Sequence, residues 1–349
     1  MFLKDNNMNE VRFGIIGCGV IAPTHAAALD KIENARLVAV ADIQEDKAKG
    51  FADKYEISSY YKEYNELLNN DEVDAVSICT PHYLHSPMAI DAARAGKHVI
   101  VEKPMAITMA EADEMIDECK KANVKLGAIF QHRFDPAAQC IKKAIEDGRL
   151  GQLVMGGSYT KWYRSNEYYD YGRSWRGILS KGAGGALINQ AIHMVDLLRW
   201  FMGPVDAMSA NISTLTHPIE AEDICVASIK FKNGALGTVE ASVSTVPNMP
   251  EQLHISGTKG TVVIEGTKLA RWDIEDENLK DMQALCFQDV RFQGKSYYGD
   301  SHPRQIEDFV LAILEDREPY IDGNKGKDAL EVVLGIYESA REGKQVKFD

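Results

Sequence analysis

The run Val11-Arg-Phe-Gly-Ile-Ile-Gly17-Cys-Gly19-Val-Ile-Ala22 constrains this chain more than any other. Val11–Ile16 reads as a buried strand that passes through two glycines into the helical pattern Ala22–Leu29. Gly17 suits the tight strand-to-helix turn. Gly19 leaves the backbone open to a close neighbour, and Ala22 lets helix and strand lie close together. The first amides of such a helix have no intrahelical partner and carry partial positive charge, so the turn suits an anion such as a pyrophosphate. Pro23 does not disturb this, because the first helical turn needs no N–H donors.

The pattern around this turn is alternating. Apolar runs at 36–41, 75–79, 98–101 and 125–130 are separated by helical stretches at 44–55, 86–95 and from Thr108, where Glu111 gives capping-box spacing. Strand–helix alternation of this kind predicts a parallel, doubly wound sheet with helices on both faces. The pattern changes after Gln152. Long β-branched and aromatic runs follow at 154–162, 206–214, 224–231, 235–244, 254–257 and 261–265, with the hairpin signal Asn233-Gly234 between two of them. Helices are expected at 189–202, 303–315 and 327–341. The expected fold is therefore an α/β domain followed by an α+β domain with a large, mostly antiparallel open sheet. We place the domains at 1–130 and 131–349, with the boundary near 125–135.

Composition narrows the function classes. The chain has 349 residues, 45% hydrophobic and 26% charged, enough for two domains with real cores. A net charge of −13 argues against a nucleic-acid surface, which needs clustered cations. No apolar run is long enough to span a membrane, and residues 1–10 lack the apolar stretch of a conventional signal peptide. The six cysteines are scattered with no C-x-x-C spacing, so neither a metal site nor a secreted disulfide framework is expected, and the expected compartment is a reducing cytoplasm. Cys18 in the glycine loop reads as a small filler.

Asp42 ends the second strand, 25 residues after Gly17 (42 − 17). A carboxylate there accepts hydrogen bonds from ribose hydroxyls and repels a 2′-phosphate, which favours NAD over NADP. Gly17, Gly19, Val20, Ile21 and Asp42, with Thr80, Pro81 and His85 after the third strand, are the candidate cofactor residues. Glu102-Lys103-Pro104 follows the fourth strand, where the crevice of a parallel sheet lies. Glu102 and Lys103 are assigned to the cofactor side as well. The later run Gly184-Gly185-Ala-Leu-Ile-Asn189-Gln-Ala-Ile-His193-Met-Val-Asp196 puts an amide, an imidazole and a carboxylate on one helical face, if the helix starts near Asn189. Such a face suits proton transfer near neutral pH.

Taken together, these motifs resemble the Gfo/Idh/MocA family of sugar and cyclitol oxidoreductases. The resemblance covers nearly the whole chain and implies a Rossmann domain followed by an α/β domain with an open sheet. It implies that Lys103 and His193 are the catalytic pair, and that the second sheet makes homodimers or homotetramers. The aromatic and basic stretch 162–176 falls near the family's active site. Arg164, Tyr168, Trp175 and Arg176 are the substrate candidates, together with Lys103, Asn189 and His193. Stacking faces suit sugar C–H surfaces, and the arginines suit a phosphate or nucleotide diphosphate. Many inositol dehydrogenase-like members carry Asp where this chain has Asn189, whereas members acting on nucleotide-linked amino sugars have Asn. The expected activity is hydride transfer between NAD and a ring hydroxyl of a sugar, cyclitol or nucleotide-sugar. His193 would take the hydroxyl proton, directly or through Lys103, and the Lys103 ammonium would stabilise charge on the oxygen. The alternatives are an NADPH-dependent reductase of keto-sugars or dihydrodiols, and a dinucleotide sensor without catalysis. Arg133 reads as a structural clamp and His302 as a helix-entry residue.

Overall fold

A computed structural model describes residues 9–169, 175–286 and 301–348. Tyr171 and Arg173 of the aromatic stretch lie outside them. The chain divides into two compact units, residues 1–106, 110–129 and 301–326, and residues 107–109, 130–300 and 327–349.

The first unit holds a six-stranded sheet: β1 (Val11–Ile16), β2 (Ala35–Ala41), β3 (Ser59–Tyr61), β4 (Ala75–Ile78), β5 (His98–Val101) and β6 (Leu126–Ala128). Every pairing is parallel, in the order β3-β2-β1-β4-β5-β6. The chain winds outward from β1 to β3 and then restarts on the other side with β4. The carboxyl ends of β1 and β4 therefore mark the switch point where ligands bind in such sheets. β1 and β4 are buried almost end to end, as expected of strands covered on both faces. The three-residue β3 was not expected; it is too short for a periodicity to register.

A single cut at residue 130 misses one feature. Residues 301–326 follow the second unit in sequence yet belong to the first. The reason is burial: Ile306, Phe309 and Val310, on the helix His302–Leu314, share one core with Phe13, Ala26 and Leu29.

The second unit is built on eight strands: β7 (Leu153–Lys161), β8 (Val205–Ser213), β9 (Ile224–Phe231), β10 (Leu236–Ser242), β11 (Gln252–Gly257), β12 (Gly260–Glu265), β13 (Lys268–Ile274) and β14 (Val346–Lys347). Their order is β13-β12-β11-β7-β10-β9-β8-β14, and β7–β10 is the parallel pair in an otherwise antiparallel sheet. Along β9 the residues Cys225, Ala227, Ile229 and Phe231 point inward and Val226, Ser228 and Lys230 outward, so one face is covered and the other open. β13 and β14 were not expected. The first has its alternation broken by a bulge against β12, and the second is two residues long. At the Asn233-Gly234 turn Gly234 takes φ +87°, and the Asn233 side chain accepts from the Ala235 amide.

The cysteine expectation needs correcting. Cys140 and Cys286 are disulfide-bonded across 146 residues, because the helices Pro136–Glu146 and Leu279–Cys286 lie side by side. Sequence spacing carries no signal for such a pair. No helix among the described residues is long and apolar enough to cross a membrane.

Candidate active site

In the first unit, the turn after β1 is formed as its glycines require. Gly17 has φ +93°, and a Cβ there would meet the Cys79 carbonyl oxygen and Thr80 Cγ2 at 2.9 Å. Any other residue would fail on both counts. The helix Ala22–Leu29 begins at Ile21 without a side-chain cap, so no side chain competes for its first amides. Val20 projects into solvent, 88% exposed. Asp42 Oδ2 accepts from the Cys18 amide at 3.0 Å and Oδ1 from the Gln44 amide at 2.8 Å. The carboxylate thus ties the glycine loop to the end of β2 and keeps lone pairs for ribose hydroxyls. Burial, reinforced by Asp42, pushes the Cys18 thiol up to about 12, which makes it inert.

Thr80 and Pro81 follow β4, and the buried Thr80 Oγ1 has no hydrogen-bond partner in the structure. An uncapped helix start, a turn that admits only glycine, a ribose-ready carboxylate and an orphaned hydroxyl lie at the switch point. Together they fit a dinucleotide.

Two residues expected on the cofactor side have other tasks. His85 is buried, with Nδ1 2.7 Å from the Pro104 carbonyl and Nε2 2.8 Å from the Thr80 carbonyl. The ring therefore sits between the Thr80 loop and the loop of Lys103, whose bond to Pro104 is cis, and its N–H joins it to one of the two carbonyls. Burial pushes this ring down in pKa, against the pull of the two carbonyls. Glu102 is buried and turned toward His25 at 2.9 Å and His302 at 3.6 Å, and its other oxygen accepts from the Lys103 amide at 3.2 Å. The half-buried Lys103 stands at the end of this strand.

In the second unit, the segment carrying Asn189 and His193 departs from the expected single helix. Ala186–Ala191 forms a π-helical turn, and the α-helix starts only at Ile192. The cause is a buried carboxylate. Glu222 accepts from the Gly185 and Leu187 amides, each at 2.8 Å, and from the Tyr337 hydroxyl at 2.8 Å. Gly185 is required here, since a Cβ would fall 1.9 Å from the Glu222 carbonyl oxygen. Glu222 and Tyr337 had no sequence signal, being far from the motif in the chain. π-turns of this kind recur at functional sites.

His193 is buried, with its ring edge-on to Phe130 at 5.9 Å and to His132 at 5.1 Å between centroids. Burial lowers the His132 pKa, but Asp135, 2.6 Å from its Nδ1, outweighs this and raises it. Asp196, expected on the face of His193, is committed elsewhere. Both its oxygens accept from Arg133, at 2.8 and 2.6 Å, in a fully buried pair. The clamp reading of Arg133 fits this pair, and Asp196 is its partner.

The substrate candidates of this unit meet around Tyr168. Arg164 lies over Trp162 at 4.6 Å and over Tyr168 at 5.5 Å, and Arg176 lies over Tyr168 and Trp175 at 5.0 Å each. Gln190 joins them, donating to the Tyr168 hydroxyl at 2.8 Å and accepting from Arg164 at 3.0 Å. The Asn189 amide stands 3.5 Å from the same hydroxyl. His217 holds the Arg164 carbonyl at 2.7 Å through one nitrogen and Asp223 at 3.1 Å through the other. Sequence reasoning missed Gln190 and His217.

Comparison with known proteins gives the family of the chain. Residues 11–130 match an oxidoreductase family with an NAD-binding Rossmann fold, and residues 142–348 match that family's C-terminal α/β domain. The myo-inositol 2-dehydrogenase of Thermotoga maritima is 30% identical over 345 residues, covering 97% of this chain and 99% of that protein. The levoglucosan dehydrogenase of Pseudarthrobacter phenanthrenivorans is 28% identical over 73% of this chain and 74% of its own. The WlbA dehydrogenase of Bordetella pertussis, solved with NADH and UDP-GlcNAcA, superposes with a TM-score of 0.87 at 33% identity, covering 97% of this chain and 99% of that one.

Proposed function

Because the chain belongs to the Gfo/Idh/MocA family of oxidoreductases, we propose that it is an NAD-dependent dehydrogenase of a sugar that carries an anionic group, with nucleotide-sugars as the substrate class. The nicotinamide, when bound, supplies the hydride acceptor. Gly17 makes the turn with its own amide on the Ala41 carbonyl, the amides of Gly19, Val20 and Ile21 bind the pyrophosphate, and Asp42 takes the adenosine ribose. Lys103, as ammonium, stabilises negative charge on the reacting oxygen, and His193 accepts its proton.

One observation carries the substrate reading: Arg164 and Arg176 are stacked about Tyr168, whose hydroxyl meets both Gln190 and Asn189, and Arg164 donates to Gln190. Two preorganised guanidinium groups suit a phosphate or carboxylate, and the aromatic faces suit a sugar ring. A neutral cyclitol needs neither cation. Asn189 in place of an acid favours the same class, since an amide can orient a hydroxyl without adding negative charge beside an anionic substrate. The likeness to a protein solved with UDP-GlcNAcA supports this reading.

We further propose a dimer or tetramer formed through the open face of the second sheet, where the neighbouring Met155 and Leu236 are both more than half exposed. Light scattering checks this. The test of the activity is NADH formation from NAD with free sugars, inositols, sugar phosphates and UDP-sugars in turn. Turnover with UDP-sugars is expected. Turnover with inositols alone refutes the substrate class, and tight NAD binding with no turnover at all refutes the enzyme.

A further inference from the structure

His302 reads from sequence as a helix-entry residue, and His25 carries no sequence signal at all. The fold brings both to Glu102. His25 comes from the helix after the glycine turn, Glu102 from the end of β5, and His302 from the first turn of the returning helix His302–Leu314. All three are buried. His25 Nε2 lies 2.9 Å and His302 Nε2 3.6 Å from the same carboxylate oxygen, and the two rings meet edge-on at 5.5 Å. Ser77 Oγ stands 2.6 Å from His25 Nδ1 and fixes that ring from behind. The second carboxylate oxygen accepts from the backbone amide of Lys103 at 3.2 Å.

We infer that Glu102 is a positioning residue for Lys103, clamped by His25 and His302 so that the backbone of the lysine is held from the interior of the first unit. The inference rests on the proposed role of Lys103. Its logic is geometric. A carboxylate with one oxygen fixed by two rings presents the other in one direction, and that oxygen grips the amide of the residue whose side chain must be aimed. Small misplacements of a reacting group are costly, about a hundredfold for an ångström.

The charge states agree with this role. Burial alone would drive Glu102 neutral, but His25 and His302 outweigh it and hold the carboxyl well below its usual range. Burial likewise pushes His25 down, while Cys79 and Glu102 together raise it to about 10. Both directions favour the charged forms, and an ionised acceptor grips an amide more strongly than a neutral one. The three ligand atoms lie within 4.8 Å of one another, a spacing that a small cation would also accept. The ion pair and a bound cation are mutually exclusive, because a metal needs the neutral His25 ring.

The test compares the full-length protein with its Glu102→Gln, Glu102→Asp and His302→Leu variants. The measurements are turnover of NAD with UDP-GlcNAcA, NADH affinity by fluorescence, and melting temperature. We expect Glu102→Gln to lower kcat by about tenfold to a hundredfold with NADH affinity within about twofold of the parent. Glu102→Asp should recover part of the loss. His302→Leu, which removes only the longer contact, should give a smaller fall in kcat with the fold intact, and it serves as the test if Glu102→Gln does not fold. NMR of nitrogen-labelled histidine should show a proton on His25 Nε2, which faces Glu102. Parental kcat in both Glu102→Gln and His302→Leu overturns the positioning role while leaving the dehydrogenase reading standing. A parent protein silent with every UDP-sugar removes the reading on which the role rests. A stoichiometric metal held by His25, Glu102 and His302 in the purified protein also overturns the positioning role.

Discussion

Replacing Arg133 by Met tests how the second unit holds its buried charge. Arg133 and Asp196 form a two-pronged pair at 2.8 and 2.6 Å, with side chains 4% and 1% exposed, and the guanidinium also lies 5.5 Å from the Trp200 ring centre. Methionine preserves most of the aliphatic stem and strands Asp196 without its partner. Burial already pushes that carboxyl up against the pull of Arg133, so loss of the arginine leaves it to protonate or draw in water. Breaking a buried pair in this way costs about 3–5 kcal/mol, and a unit of this size loses about 2–4 °C of melting temperature per kcal/mol. The expected fall is roughly 6–20 °C, read by thermal unfolding with calorimetry. The double variant Arg133→Met with Asp196→Leu removes both charges and should recover most of the loss, because a well-packed apolar pair is often no less stable than the ion pair it replaces. A single variant that melts within about 2 °C of the parent, or a double variant no better than the single, would refute the reasoning.

Three further outcomes follow from the same geometry. Asp42→Ser should weaken NAD binding by about tenfold to a hundredfold, the loss of one or two hydrogen bonds to a charged acceptor, and should narrow the preference over NADP; cofactor titration checks both. Without reductant, denatured protein should show four titratable thiols, from Cys18, Cys79, Cys119 and Cys225, and six after reduction. Cys140→Ser should lower stability by up to about 5 kcal/mol, the loop-closure value for a separation of 146 residues. The third concerns pH. His25 is raised from 6.5 to about 10 on folding, so its contribution to stability is complete below pH 6.5 and is lost as pH rises toward 10. A His25→Asn variant should flatten that alkaline decline in urea unfolding; an unchanged slope would assign the decline to other groups.

The first sheet was legible because its strands are buried on both faces and its turn admits only particular residues. Gly17 at φ +93° could be read from the motif, and so could Asp42 at the next strand end. What stayed hidden shares one cause, distance along the chain. The return of residues 301–326 depends on Phe309 finding Phe13, and nothing local announces it. Glu102 looked like part of a cofactor loop, yet its carboxylate is spent on two histidines that lie 77 residues before it and 200 after it (102 − 25 and 302 − 102). Asp196 sits at the right spacing from His193, but spacing cannot reveal that Arg133 takes both its oxygens. The single helix expected through Asn189 gave way to a π-turn because Glu222 and Tyr337 bind its first amides. Where local chemistry decides a feature it could be read from sequence; where a distant partner decides, only the fold shows it.

The central claim is that the chain removes a hydride and a proton from a ring carbinol of a nucleotide-sugar. The direct measurement is mass spectrometry of a UDP-sugar recovered after incubation with the protein and NAD, alongside the NADH formed. The expected product is a sugar lighter by one hydride and one proton for each NADH, with none of it from Lys103→Met or His193→Ala. An unchanged UDP-sugar, or undiminished product from both variants, would contradict it.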